Sequence, residues 1–319
     1  MATTASMPGS QADHAMTPRG FLDPAYVAAT ARGGTPVYLP NSGGWLIERQ
    51  IPGSSLRDAM APHPFLVCRD WQALPRDMTG LPPDLVSIVA VTDPFANVDE
   101  AVLNQAFHHL VRPYKPHFII DLTRPLSSFA DPHNLGCARR AQKKVTVERC
   151  AEPLAHLAEW LRFYDVLVQR HGIRGTALMT EESFRQQFAV PGFSMFRAQR
   201  DGATIGMILC MAHGERAYFH LGAYDDMGYR SKASYALVWS IIEYFAAAGV
   251  KTLSIGAGAG AFGGGADGLT TFKRGWASGT RMTYLCGAIP DPGNYGALAA
   301  AAPRAVTNYF PAYRAEEFN

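Results

Sequence analysis

The chain has 319 residues, 48% of them apolar and 18% charged, with a formal net charge of +2. That length buries a large core in one large domain or two ordinary ones. Near-neutrality excludes a protein that grips nucleic acid by bulk charge and leaves only a local basic patch for that purpose. Five cysteines (Cys68, Cys137, Cys150, Cys210 and Cys286) stand singly with no C-x-x-C. That pattern fits a reducing cytoplasm better than a disulfide framework or a zinc site, so no metal is expected. No apolar run approaches the roughly 20 residues needed to cross a bilayer. Residues 1–17 lack the apolar core of a signal peptide and read as a disordered Ser/Thr/Ala tail.

The spacing predicts a short helix over Phe21 to Thr30, broken at Gly33-Gly34, then a hairpin of Pro36 to Leu39 and Gly44 to Arg49 around Asn41-Ser-Gly-Gly44. Ile51 to Pro83 is rich in proline and glycine and reads as irregular loop with at most one strand, Phe65 to Arg69. The apolar run Leu85 to Val91 predicts a buried strand. Asp99 opens a helix through Val111 with Val102, Leu103, Ala106 and Leu110 on one face, and Phe118 to Leu122 is a further strand. Residues 18–130 therefore read as a mixed α/β unit.

The next segment is basic. Arg139, Arg140, Lys143 and Lys144 crowd a short helix around Cys137 to Lys144, followed by a strand at Thr146 to Arg149. Such a run is either a solvated face or a phosphate-facing patch, since cations three and four apart share one helical side. Ala151 to Gly172 is the clearest amphipathic helix, with Leu154, Leu157, Leu161, Tyr164 and Val168 at helical spacing. Thr180 caps a shorter helix to Phe188. Three strands joined by tight links follow: Ser194 to Gln199, Ala203 to Ala212 and Arg216 to Leu221.

Arg216 to Trp276 reads as strand, polar loop (Gly222 to Lys232), helix (Ser234 to Ala248, opened by a capping serine and stopped by Gly249), strand (Thr252 to Ile255), glycine-rich loop and the hexapeptide Thr271-Phe-Lys-Arg-Gly-Trp276. A polar loop feeding a helix N-terminus suits an anionic ligand, because free N–H groups and the helix dipole point there. A strand at Arg281 to Ile289 and a helix around Tyr295 to Asn308 complete the chain. Gly258-Ala-Gly-Ala-Phe-Gly263 is formally G-x-G-x-x-G, but no long helix and no acidic ribose partner follow it, so a dinucleotide-binding turn is disfavoured against a flexible loop over a substrate channel.

This element order resembles the GNAT acyltransferase fold. Tyr218-Phe-His-Leu-Gly222, the helix bearing Ser234 and Trp239, Gly249-Val-Lys-Thr-Leu-Ser-Ile-Gly-Ala-Gly258 and Leu269-Thr-Thr-Phe-Lys-Arg-Gly-Trp276 look like the FemAB-like branch of that superfamily. The likeness runs from about Asp131 to Ala277. It implies an α/β fold with a mixed, mostly antiparallel sheet flanked by helices, in two GNAT-like lobes. The N-terminal lobe, 18–130, would be partial; 131–290 would be the core and 291–319 a C-terminal helix and tail.

The resemblance further implies transfer of an acyl or aminoacyl group to an amine of a small molecule or peptide. In well-known members the donor is an aminoacyl-tRNA. CoA-dependent members carry Q/R-x-x-G-x-G/A before the central helix, whereas this chain has Arg230-Ser-Lys-Ala-Ser-Tyr235, without the glycines that bare the backbone to a pyrophosphate. Aminoacyl-tRNA is therefore the expected co-substrate, with acyl-CoA as the alternative and no permanently bound cofactor. A non-catalytic ligand-binding module is a further alternative.

For catalysis the resemblance points to Lys273, whose ammonium would offset charge on a tetrahedral oxyanion. His220 and Tyr218 share a strand face and are candidates for moving the amine's proton, although each is at least as well read as core. Asp225 is a candidate base, although turn carboxylates more often only form turns. Arg230, Ser231, Lys232, Ala233 and Ser234 are the expected donor-binding residues, and Arg139, Arg140, Lys143 and Lys144 the expected phosphate or tRNA contacts. The expected location is the cytoplasm.

Overall fold

A computed structural model describes residues 20–175, 178–258, 267–302 and 309–318. The expected tail over 1–17, most of the glycine run and the end of the expected Tyr295 to Asn308 helix lie outside the described residues. After a 3-10 turn, Gly20–Leu22, come α1 Pro24–Thr30, the β1 Thr35–Leu39/β2 Gly44–Gln50 hairpin, β3 Arg57–Met60, α2 Leu74–Thr79, β4 Leu85–Val91, α3 Glu100–Ala106 and β5 Leu110–Asp121. The basic helix is α4 Pro132–Ala141, followed by β6 Thr146–Arg149, α5 Leu157–His171 and α6 Glu181–Phe188. Then come β7 Phe193–Arg200, β8 Ala203–His213, β9 Arg216–Tyr224, α7 Asp226–Arg230 and α8 Ala233–Ala247. The chain ends with β10 Thr252–Ser254, α9 Gly268–Arg274, β11 Gly279–Ala288, α10 Pro292–Ala301 and a 3-10 segment, Ala312–Phe318.

The strands form one sheet in the order β1-β2-β3-β4-β11-β5-β10-β9-β8-β7-β6. Only β3 with β4 and β9 with β10 run parallel among the named pairs. The sheet is thus mostly antiparallel and flanked by helices, as expected. β11 enters between β4 and β5, so the C-terminal part of the chain completes the N-terminal part of the sheet. Period-two alternation sorts the faces. Ala217, Leu253, Phe118 and Ile120 pack under α4 and α8 with Leu237, Ile241 and Trp276. Tyr218 and Ile119 face the other way, among Phe21, Tyr26, Phe65 and Phe95. Among the described residues no helix is long and apolar enough to cross a membrane.

Four local expectations are corrected. The helix from Asp99 stops at Ala106 and β5 starts at Leu110, eight residues before the expected strand. Pro113 and Pro116 are tolerated there because that stretch pairs with β11 alone, β10 reaching only Ile119 to Asp121. Phe65 to Arg69 makes one isolated bridge, Leu66 to Thr92, not a strand. The strand in that region is β3, whose buried Asp58 is neutralised by Arg314 from the far end of the chain. The loop expected over Gly222 to Lys232 continues β9 to Tyr224 and then forms α7. Finally, Ser234 does not cap α8. Lys232 occupies the N-cap in the left-handed region (φ 55°) with no side-chain cap.

α7 has no spare room against the sheet. A Cβ on Gly228 would lie 2.0 Å from the Ile205 carbonyl oxygen. Gly228→Ala is therefore expected to cost about 1–3 kcal/mol, as at other overpacked sites, read as a lower Tm in thermal unfolding followed by circular dichroism. An unchanged Tm would show that α7 shifts freely.

Candidate active site

The hexapeptide that ends in Trp276 begins within α9 and runs past its C-cap at Gly275; the N-cap is Asp267, whose carboxylate accepts from the Thr270 N–H (2.7 Å) and hydroxyl (3.0 Å). Four of its residues have separate tasks. Phe272 meets the Tyr235 ring edge-on at 4.8 Å, joining α9 to the start of α8. Gly275 lets α4 approach, since a Cβ there would sit 2.5 Å from Asn134 Nδ2, and Asn134 donates to the Phe272 carbonyl at 3.0 Å. Trp276 is fully buried between α9 and α8, an anchor whose removal would cost about 3–5 kcal/mol. Lys273 points the other way. Its Nζ donates to the Ala257 carbonyl at 2.6 Å, and the bare backbone of Gly256 leaves room for it.

That ammonium sits where the sheet opens. β9 pairs with β10 only at Arg216/Thr252, Ala217/Leu253 and Tyr218/Ser254, yet β9 runs on to Tyr224. Beyond Tyr218 the two parallel strands part. Burial, and then Lys115, lower the Lys273 pKa to about 8. On the same side lies His117, whose Nδ1 is 3.4 Å from Ser254 Oγ. Burial, with Lys273 and Lys115 nearby, pushes it to about 3, so this imidazole is neutral.

Asp93, in the loop after β4, reaches the same sheet face. Its Oδ2 accepts from the Tyr218 hydroxyl at 3.2 Å and its Oδ1 from the Phe95 N–H at 3.0 Å. Burial raises Asp93 to about 6, against the pull of the Phe95 N–H, Arg216, Tyr218 and Arg281. Arg216 and Arg281 both lie 5.8 Å from the Phe95 ring. The tertiary structure thus brings Lys273 to His117, which meets Ser254, and on the same sheet face brings Asp93 to Tyr218, Arg216 and Arg281. Asp93, His117 and Arg281 were missed from the sequence because they come from distant segments and carry no local motif; the period-two spacing of Lys115, His117 and Ile119 was the one usable signal.

His220 does not join them. Its Nε2 is 2.8 Å from Gln187 Oε1, and its ring sits among Phe21, Tyr26 and His63. Burial holds its pKa near 3, and its Nδ1 has no partner among the described residues. Asp225 caps α7 through the Gly228 N–H at 2.7 Å. Its neighbour Asp226 faces Arg170 at 3.3 Å.

The expected donor-binding residues form the turn between α7 and α8. Arg230 is exposed, Ser231 Oγ accepts from Arg200 at 3.0 Å, Ala233 is fully buried, and Ser234 lies within the first turn of α8. Lys232 Nζ donates to Cys137 Sγ at 3.2 Å, and Arg140 approaches the same sulfur at 3.3 Å. Arg139, Arg140, Lys143 and Lys144 are all exposed at the end of α4, so the basic run abuts the start of α8. The G-x-G-x-x-G stretch falls largely on residues 259–266, outside the described residues. Glu148, Cys150 and His156 bring ligand-type atoms within 4.8 Å of one another, but Arg197 already holds Glu148 with two hydrogen bonds, which a metal would have to displace.

The sequence model of the family described as Acetyltransferase (GNAT) domain matches residues 136–274. No curated protein matches the sequence. Among solved structures, FemX is 13% identical with a TM-score of 0.61, over 85% of this chain and 93% of FemX. L-PGS from Bacillus licheniformis is 14% identical with a TM-score of 0.55, over 87% of this chain and 95% of that one. The C-terminal domain of a protein assigned as a lysylphosphatidylglycerol synthetase from Agrobacterium fabrum is 15% identical with a TM-score of 0.58, over 86% and 90%. At such identities the likeness is one of fold, shared along most of the chain with FemX and L-PGS.

The burial of Lys273 has a direct readout. In a 13C NMR titration of the lysine Cε signals, Lys273 is expected to titrate near 8, below the ordinary lysine range, as its ammonium loses its proton. A set of lysine signals that all titrate near 10.4 would contradict its placement at the strand opening.

Proposed function

We propose that this chain, through its GNAT domain, is an N-acyltransferase that moves an aminoacyl or acyl group from an activated donor to an amine, with aminoacyl-tRNA as the donor. The observation that carries the reading is the Lys273 ammonium, tied to the Ala257 carbonyl at the point where β9 and β10 part. An acyl carbonyl lying in that opening would meet a positive charge in a partly dehydrated site, where it acts most strongly on a developing oxyanion. Attack by a neutral amine forms the C–N bond, and collapse of the tetrahedral intermediate breaks the ester C–O bond. The amine's proton passes to the Tyr218 oxygen while Tyr218 gives its own to Asp93, and the departing ribose hydroxyl regains a proton from that pair. A buried carboxyl near 6 is suited to taking and returning a proton at neutral pH.

The donor preference rests on the start of α8. Where a pyrophosphate-wrapping loop needs glycines, Ala233 is buried and Tyr235 is packed against Phe272. The exposed cations of α4 offer a surface for a polyanionic donor instead. Acyl-CoA is the second reading, favoured by the description of the matching family model.

Labelled aminoacyl-tRNAs and acyl-CoAs offered with a panel of amines, with and without RNase, separate the two. Turnover that RNase abolishes is the expected result; turnover with acyl-CoA alone would sink the tRNA assignment. In the working assay Lys273→Ala is expected to lower kcat by about 10²-fold or more. The wild-type rate is expected to fall as pH rises through about 8, because the cation present below that pH is lost above it. A Lys273→Ala rate equal to wild type would remove the lysine from the mechanism.

A further inference from the structure

A cavity of about 380 Å³ opens beside β2 and β3, and none of its described lining residues belongs to β9, β10 or α9. Arg32, Arg49, Arg314, His63, Ile47 and Met60 are among the residues that line it, and no carboxylate is among its described lining residues. Each cation is held differently. Arg32 stands just past α1 with its backbone in the left-handed region (φ 51°), and its guanidinium donates to the Gly175 carbonyl. Among the described residues no carboxylate forms an ion pair with Arg32, and burial lowers its pKa. Arg49 and Arg314 share Asp58, Arg49 at 3.3 Å and Arg314 through a close two-point contact. Arg314 is itself almost wholly buried and is braced on the Gln50 carbonyl at 3.1 Å.

His63 supplies the second, independent sign. Its Nδ1 is buried and has no hydrogen-bond partner among the described residues, and Tyr26 holds its backbone carbonyl at 2.8 Å. Burial, and then Arg32, depress its pKa to about 4, so the ring is neutral at pH 7 and offers a single N–H. Three guanidiniums lining one cavity suit an anion's oxygens, and an unpartnered imidazole in the same lining adds a hydrogen-bonding group. Ile47 and Met60 give one wall an apolar character, which suits an anion attached to an organic body rather than a bare inorganic ion.

We infer that this cavity is a binding site for the carboxylate or phosphate group of a small organic anion, gripped by Arg32 with Arg49 and Arg314 and oriented by His63. The site stands independently of the acyl-transfer reading. His63 lines it and His220 does not, although the two rings are 6.3 Å apart. Two sources share the chemistry: an anionic group on the amine acceptor, or a separate anion that binds without being consumed.

The test uses the full chain, with inorganic phosphate and succinate as probes in calorimetric titration, against sodium chloride of matched ionic strength. Saturable binding is expected, weakened at least about tenfold in Arg32→Asn, which keeps a residue tolerant of the left-handed backbone. His63→Phe, with circular dichroism to check folding, is expected to weaken binding as well. Arg76→Gln, on the exposed side of α2 and outside the cavity lining, is expected to leave it unchanged. No saturable binding, or equal weakening by Arg76→Gln and Arg32→Asn, would overturn the site. In the turnover assay, competition between phosphate and the amine supports the cavity as the acceptor's anion site. Saturable binding without competition supports a separate anion.

Discussion

Three residues hold the two halves of the sheet together. β10, Thr252 to Ser254, lies between β5 and β9 and, among the described residues, is the one strand bridging them in the sheet order. It is antiparallel to β5 and parallel to β9, and a parallel neighbour demands a crossover connection. α8 is that crossover, so the length of α8, its burial against the sheet and the start of its first turn all follow from the β9–β10 pairing. The shortness of β10 matters as much as its position. Past Ser254 the chain stays with β5, where Phe118 donates to the Gly256 carbonyl, and leaves β9 to continue paired with β8. The opening is the point at which a short strand runs out, and Lys273 is tied to the backbone just beyond that point.

Burial then does the chemical tuning. The same scarcity of water that pulls the lysine down to about 8 pushes the Asp93 carboxyl up to about 6, bringing an acid and a base toward neutrality from opposite sides. Neither shift needs a strong ion pair. Lys273 is held by a carbonyl, and Asp93 by a phenol and a backbone N–H, so their charges are stabilised without being cancelled. His117 and His220 obey the same rule with the opposite consequence. Both are driven far below their ordinary range and stay neutral.

Much of the second half of the chain was legible because its signals are local. The cap at Thr180, the helical stripe of α5 from Leu157 onward, the meander β7–β8–β9 and the closing motif need only neighbours within a few residues to be recognised. Where the reading failed, the deciding interaction came from far away. The helix read through Val111 gave way to β5 because β11, some 170 residues later, supplies its partner. The four-residue β3, with Arg57 and Asp58 in it, reads as loop until Arg314 buries the Asp58 charge. Asp225 and Ser234 illustrate a subtler failure. Asp225 was read as a base or turn former and Ser234 as a helix cap, but position in the fold made Asp225 the cap of α7 and left Ser234 inside the first turn of α8.

Alternation and capping are written in adjacent residues, so the sequence alone determined the α/β class, the mostly antiparallel meander, the order of the central elements and the lysine of the closing motif. What it could not carry is proximity between segments. Only the tertiary structure placed Asp93 under Tyr218, set His117 and Arg281 beside them, withdrew His220 into an aromatic core and assembled three arginines around one cavity. The physical reason is that a pKa, a cleft or a charged pocket depends on which groups share a low-dielectric space, and that is decided by packing between elements rather than by any one of them.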